Sequence, residues 1–129
     1  MEHRLLDPLT PRRESEIQRA ILAHCNRLPG VVLWRANSGA VTATYKGKTR
    51  FVRFNTMPGM SDLIGFYTPS LVSPPMAIFL AIEVKRSGCP PTPLQAAFLQ
   101  MVRKAGGVAF VATCVQDVID ALTRAPPPR

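Results

Sequence analysis

The sequence predicts an α/β protein, a mixed sheet flanked by helices, and three observations carry that reading. Two segments, "TPRRESEIQRAILAHCNRL" and "TPLQAAFLQMVRKAGG", place apolar residues at helical spacing. Between and after them run short β-branched apolar stretches, "VVLWRANS", "SDLIGFY", "MAIFLAIEVKRSG" and "VAFVATC", bounded by turn residues. Helices interleaved with strands in one chain of 129 residues imply helices packed on a sheet.

The first helix is expected to open with Thr10 as N-cap and Pro11 at the first helical position. Its buried face would be Ile17, Ala20, Ile21, Cys25 and Leu28, and Pro29-Gly30 would end it. After the strand "VVLWRANS", the segment "GAVTATYKGKTRFVRFN" holds two β-prone runs around Lys46-Gly47-Lys48, which reads as a hairpin. "NTMPGM" is a turn-rich loop, and "SDLIGFY" a short strand with its aspartate at the entrance. "MAIFLAIEVKRSG" is the longest apolar run and reads as a central strand. The second helix has Thr92 as N-cap, Pro93 behind it and Gln95 as capping-box partner, with Leu94, Ala97, Phe98, Met101 and Val102 as its apolar face. Gly106-Gly107 stops it, "VAFVATC" is a buried strand, and "VQDVIDALTR" is a last short helix. One domain over 1–129 is expected, with flexible tails at about 1–9 and 125–129.

Composition removes several function classes. No stretch reaches the roughly 18 uninterrupted apolar residues of a membrane span, and the N-terminus carries acids and prolines where a signal peptide would be apolar. A cytoplasmic protein without a membrane partner is expected. Cys25, Cys89 and Cys114 are odd in number and lack metal-ligand spacing, so buried reduced thiols are expected. The charge is less ordinary: 16 Lys and Arg against 8 Asp and Glu give +8, which suits a polyanion such as nucleic acid. Six of the acids lie at the two ends of the chain, and from Ile17 to Gln116 only Asp62 and Glu83 remain.

Those two acids invite a chemical reading. Residues two apart in a strand project from one face, so Glu83 and Lys85 point together, while Val84 offers its backbone carbonyl. Asp62 stands at the entrance of the preceding strand, with Gly59 and Gly65 close by to admit a backbone or a ligand. Two carboxylates and a carbonyl are the hard oxygen donors that Mg²⁺ or Mn²⁺ takes, and a lysine beside them can stabilise charge on a phosphate. A structural ion pair between Glu83 and Lys85, with Asp62 as a turn residue, is the alternative.

"PGMSDLIG", "IEVKRSG" and "TPLQAAFLQMVRKAGGVAFV", in this order behind an "ESEIQ" helix, resemble the VRR-NUC (virus-type replication-repair nuclease) domain of the PD-(D/E)XK nuclease superfamily. The resemblance runs from about Glu14 to Leu122. It implies a restriction-endonuclease-like core of αβββαβ type, Mg²⁺ or Mn²⁺ as cofactor, and hydrolysis of phosphodiester bonds. Asp62 and Glu83 become metal ligands with the Val84 carbonyl, Lys85 the motif lysine, and Glu16 a further carboxylate acting through water. Glu14 is the alternative to Glu16, and both could simply favour the start of a helix. Gln95 matches a helix glutamine near the site, and its capping box explains it equally well. Ser61 stands where many relatives in the superfamily carry proline, which bears on the loop more than on the chemistry.

Small stand-alone bacterial and phage members of the family resemble Holliday-junction resolvases in acting as homodimers, so the resemblance implies branched DNA and a second copy of the chain as partners. The basic residues Arg12, Arg13, Arg19, Arg35, Lys46, Lys48, Arg50, Arg53 and Arg86 would hold phosphates without reading sequence. A flap or single-strand nuclease and a catalytically silent nucleic-acid-binding module are the alternatives.

Overall fold

A computed structural model describes residues 12–36, 40–53 and 56–124 of the chain. In order, the elements are α1 (Glu14–Cys25), β1 (Val31–Arg35), β2 (Ala40–Tyr45), β3 (Lys48–Arg53), β4 (Leu63–Tyr67), β5 (Ile78–Val84), α2 (Pro93–Lys104), β6 (Val108–Ala112) and α3 (Val115–Arg124). Four strands form a mixed sheet in the order β1-β4-β5-β6, antiparallel except for the parallel pair β5 and β6. A parallel neighbour requires a crossover, and α2 supplies it. The strands β2 and β3 form a separate antiparallel hairpin.

Burial explains why the longest apolar run became β5. Leu80, Ile82 and Val84 face one way and pack with Ile17, Ile21 and Cys25 of α1 and Val118 and Leu122 of α3. Ala81 faces the other way, toward Phe98, Leu99 and Val102 of α2. A strand covered on both faces needs no polar alternation. Coverage is incomplete elsewhere: α2 lies on β5 and β6, and Val32, Trp34 and Phe66 on β1 and β4, with Phe79 on β5, stay 36 to 45 % exposed. Trp34 and Phe66 meet edge to face, with ring centroids 6.3 Å apart.

Several element boundaries differ from the sequence reading. Thr10 and Pro11 lie outside the described residues; α1 begins at Glu14 behind an extended Arg13 that gives no side-chain cap. It also ends earlier, at Cys25, with Asn26 as its C-cap, whose side chain clamps edge strand β1. Asn26 Oδ1 accepts from Leu33 N–H at 2.7 Å and Nδ2 donates to Leu33 C=O at 2.9 Å, filling an edge that would otherwise be open.

The second helix has the expected capping box: Thr92 Oγ1 accepts from Gln95 N–H at 3.2 Å, and Gln95 Oε1 accepts from Thr92 N–H at 2.8 Å. Its inward face is a correction. Leu94 and Met101 are 61 and 49 % exposed, whereas Phe98, Leu99 and Val102 are buried. The buried stripe thus follows positions 95, 98, 99 and 102, and half-buried Gln95 opens it in place of Leu94. Cys25 is buried, which pushes its thiol pKa up, but Cys89 and Cys114 are exposed, contrary to expectation, because each sits in a connection. Both expected tails fall outside the described residues. No described helix is long and apolar enough to cross a membrane.

Candidate active site

The register of β4 and β5 builds the site. Leu63 pairs with Ile82, so one step further Asp62 stands opposite Glu83, two carboxylates face to face at the end of an antiparallel pair. Like charges placed so are destabilising unless something offsets them. Asp62 is nevertheless held from both sides. Its Oδ2 accepts from Val84 N–H at 2.9 Å, and its carbonyl accepts from Ala36 N–H at 2.8 Å at the end of β1. Backbone groups of one strand residue leave on the same edge, so the Val84 carbonyl is turned the same way as its N–H, toward Asp62. The next residue turns the other way, and Lys85 N–H donates to the Ala112 carbonyl of β6 at 3.0 Å.

Glu83 shares its face with Ala81 and lies on the α2 side of the sheet. It is 1 % exposed, and its Oε2 is buried without a hydrogen-bond partner. Lys85 Nζ approaches Oε1 at 3.7 Å. Burial first, and the charge of Asp62 second, push the Glu83 pKa up to about 8, while Lys85 pulls it down. The pair is short of positive charge. Two carboxylates, one of them with an orphaned buried oxygen, and a backbone carbonyl fit a hard divalent cation that keeps several waters, as Mg²⁺ does. Among the described residues no group of three or more His, Cys, Asp and Glu gathers.

Gly59 brings α2 to this end of the sheet. Its φ is +68°, and a Cβ there would lie 2.2 Å from the Leu94 carbonyl oxygen and 2.8 Å from Gln95 N, so only glycine lets the loop before Asp62 abut the first turn of α2. Gly65 takes the first of its two expected parts, the approach of a backbone, since a Cβ on it would meet the Val32 carbonyl of β1. It admits a neighbouring strand. Ser61 is fully buried and its Oγ has no partner, a hydroxyl next to Asp62 that sequence reading weighed only as a missing proline.

Glu16 is not brought into contact with the pair. It lies in the first turn of α1, which packs on the opposite face of the sheet, and no described hydrogen bond or ion pair joins it to Asp62 or Glu83. Any approach would pass around the strand ends. Arg12, Arg13, Arg19, Arg35, Lys46, Lys48, Arg50 and Arg86 are all exposed. The side chain of Arg53 lies outside the described residues. The Asn26 clamp carried no sequence signal, since asparagine in a turn is ordinary.

A mixed sheet between helices, with opposed carboxylates and a lysine at the end of its central strands, is the restriction-endonuclease-like nuclease architecture. The VRR-NUC domain matches residues 11–116, and the chain belongs to that family. No curated protein and no solved structure matches it. Nuclease chemistry on DNA is what this family brings to the fold.

Proposed function

We propose that the protein is a structure-selective endonuclease that cuts branched DNA with Mg²⁺ or Mn²⁺, acting as a homodimer in the cytoplasm of a bacterial cell or phage-infected host. The observation that carries the reading is buried Glu83 opposed by half-buried Asp62, with Lys85 beside them. Asp62, Glu83 and the Val84 carbonyl would hold the ion, and Glu16 would contribute through water. When bound, such an ion activates water and neutralises charge on the scissile phosphate.

The chain's own groups do the rest. The Val84 N–H fixes the Asp62 carboxylate, leaving its other oxygen for binding. Lys85, its ammonium partly exposed beside a nearly buried partner, directs its charge to a phosphate oxygen as negative charge grows there. Gln95, at the start of the inward stripe of α2, sits where a helix N-terminus and a side-chain amide can orient the phosphate or the attacking water. The exposed basic residues hold phosphates without selecting bases.

One centre per chain cannot place two symmetric cuts, which supports a twofold dimer. The uncovered aromatic face of β1 and β4 supports the same reading, because apolar surface of that kind is commonly an interface.

Cleavage of a four-way junction, a flap and a plain duplex, each with Mg²⁺, Mn²⁺ or EDTA, tests the proposal. Junction cutting that stops in EDTA, returns with either ion and is lost in Asp62→Ala and Glu83→Ala is expected, with DNA binding retained. Cutting that persists in chelator, or in either variant, rejects the assigned centre.

A further inference from the structure

The hairpin β2–β3 is unlike the rest of the molecule. Every side chain described in it is exposed, and it pairs with no strand of the main sheet. In chain order it is inserted between β1 and the loop that ends at Asp62. The chain leaves the sheet after β1, where Ala36 is bonded to Asp62, and returns from β3 through the loop that delivers Asp62 itself.

Its two faces differ in chemistry. Tyr45 pairs with Lys48 and Ala43 with Arg50, so one face presents an aromatic ring and two cations with a small residue between them. The other face carries Thr42, Thr44, Thr49 and Phe51, with the Thr44 and Thr49 hydroxyls 3.5 Å apart. Lys46 and Gly47 have φ of 49° and 73°, the tight two-residue turn that matches strand twist and ends the ladder at the Tyr45 pair. A lysine in this left-handed conformation, where Asn, Asp or Gly is usual, sets one more cation at the tip. Its Nζ lies 5.5 Å from the centroid of the Tyr45 ring, which is part of a residue 75 % exposed.

Resting on the nuclease reading, we infer that the Tyr45 face of this hairpin, with Lys46, Lys48 and Arg50, is a stacking platform for a base left unstacked at the branch point of the DNA substrate. Cations alone would suffice for a duplex backbone, whereas an exposed ring flanked by cations matches a base with its phosphates. Within a duplex each base face is covered by its neighbours. At a junction or fork a face becomes free, so the ring selects the opening and the cations secure the adjoining phosphates. Tyr45 is then a specificity-determining residue, distinct from the carboxylates that cut.

The test is a binding measurement in EDTA with the full chain. A four-way junction carrying 2-aminopurine at the branch point, the same junction labelled in mid-arm, and a matched duplex are titrated with the parent protein, Tyr45→Ala and Tyr45→Phe. The parent is expected to quench the branch-point probe alone. Tyr45→Ala should lose that quenching and lower the ratio of junction to duplex affinity by roughly five- to a hundredfold, the span of one base stack; Tyr45→Phe should keep both. An affinity ratio unchanged in Tyr45→Ala, or a parent that leaves the branch-point probe unaffected, overturns the inference even if junctions are cut. Selective quenching by a parent that cuts no DNA with any metal leaves the platform standing and removes the nuclease reading.

Discussion

Glu83 is a nearly inaccessible carboxylate set opposite another. Its proton affinity is higher folded than unfolded, about 8 against the ordinary 4.5 of a glutamate. Between those values the folded chain keeps a proton that the unfolded chain gives up, so stability of the metal-free protein falls as pH rises across the window, by up to about 1.4 kcal/mol per unit. Thermal unfolding in EDTA should show Tm dropping from pH 5 to pH 8. Glu83→Gln should flatten that slope and melt above the parent at pH 8, and added Mn²⁺ should raise the parent at pH 8 but not the variant. A variant no more stable than the parent at pH 8 would mean that the carboxylate is already well compensated. The residue identities needed for this argument were readable from their scarcity, because only Asp62 and Glu83 interrupt the long span without acids. The burial that gives Glu83 its shift was not.

At the scale of elements, the first turn of α2 serves two ends that a substitution can separate. Gln95 closes the capping box, and it also heads the stripe that faces the sheet. Glutamate closes a capping box as well as glutamine does, so Gln95→Glu should leave the melting temperature within about a degree or two of the parent, a change well below 1 kcal/mol. It would place a negative charge where phosphate is expected, and cleavage should fall on the order of tenfold or more. Gln95→Ala should lose about 1 kcal/mol of stability as well. Equal cleavage by Gln95→Glu and the parent would assign the glutamine to capping alone. The capping box and its helix were legible in "TPLQ", but the face was misjudged by most of a residue's turn. Leu94, Ala97 and Met101 offer a second apolar stripe beside the true one, and periodicity does not choose between adjacent stripes when both are apolar.

For the whole molecule, the question is what lies against the half of the sheet that α2 leaves open. Val32, Trp34 and Phe66 occupy β1 and β4, with Phe79 next to them on β5. In the proposed dimer this surface is covered, and Trp34→Glu should convert a dimer to a monomer in sedimentation velocity. Paired incision of a four-way junction should be lost with it, while single nicks persist at the intact Asp62 and Glu83 centre. A parent that is already monomeric and prefers flaps would retire the resolvase reading and leave the metal-dependent chemistry in place.

The α/β class, the hairpin, the capped second helix and the two central acids are all legible in the residue order, because each rests on local periodicity, turn chemistry or the sparse acids of the central span. "PGMSDLIG" and "IEVKRSG" also carried the family, which the match over residues 11–116 bears out. Tertiary structure alone decided which residues meet. Pairing Leu63 with Ile82 sets Asp62 opposite Glu83, Gly59 seats the loop against α2, and Asn26 seals the edge of β1. It also put α1, and Glu16 with it, on the far face of the sheet from Glu83. These are consequences of strand register and of which helix covers which face. Both are set by contacts between residues far apart in the chain, which no local pattern encodes.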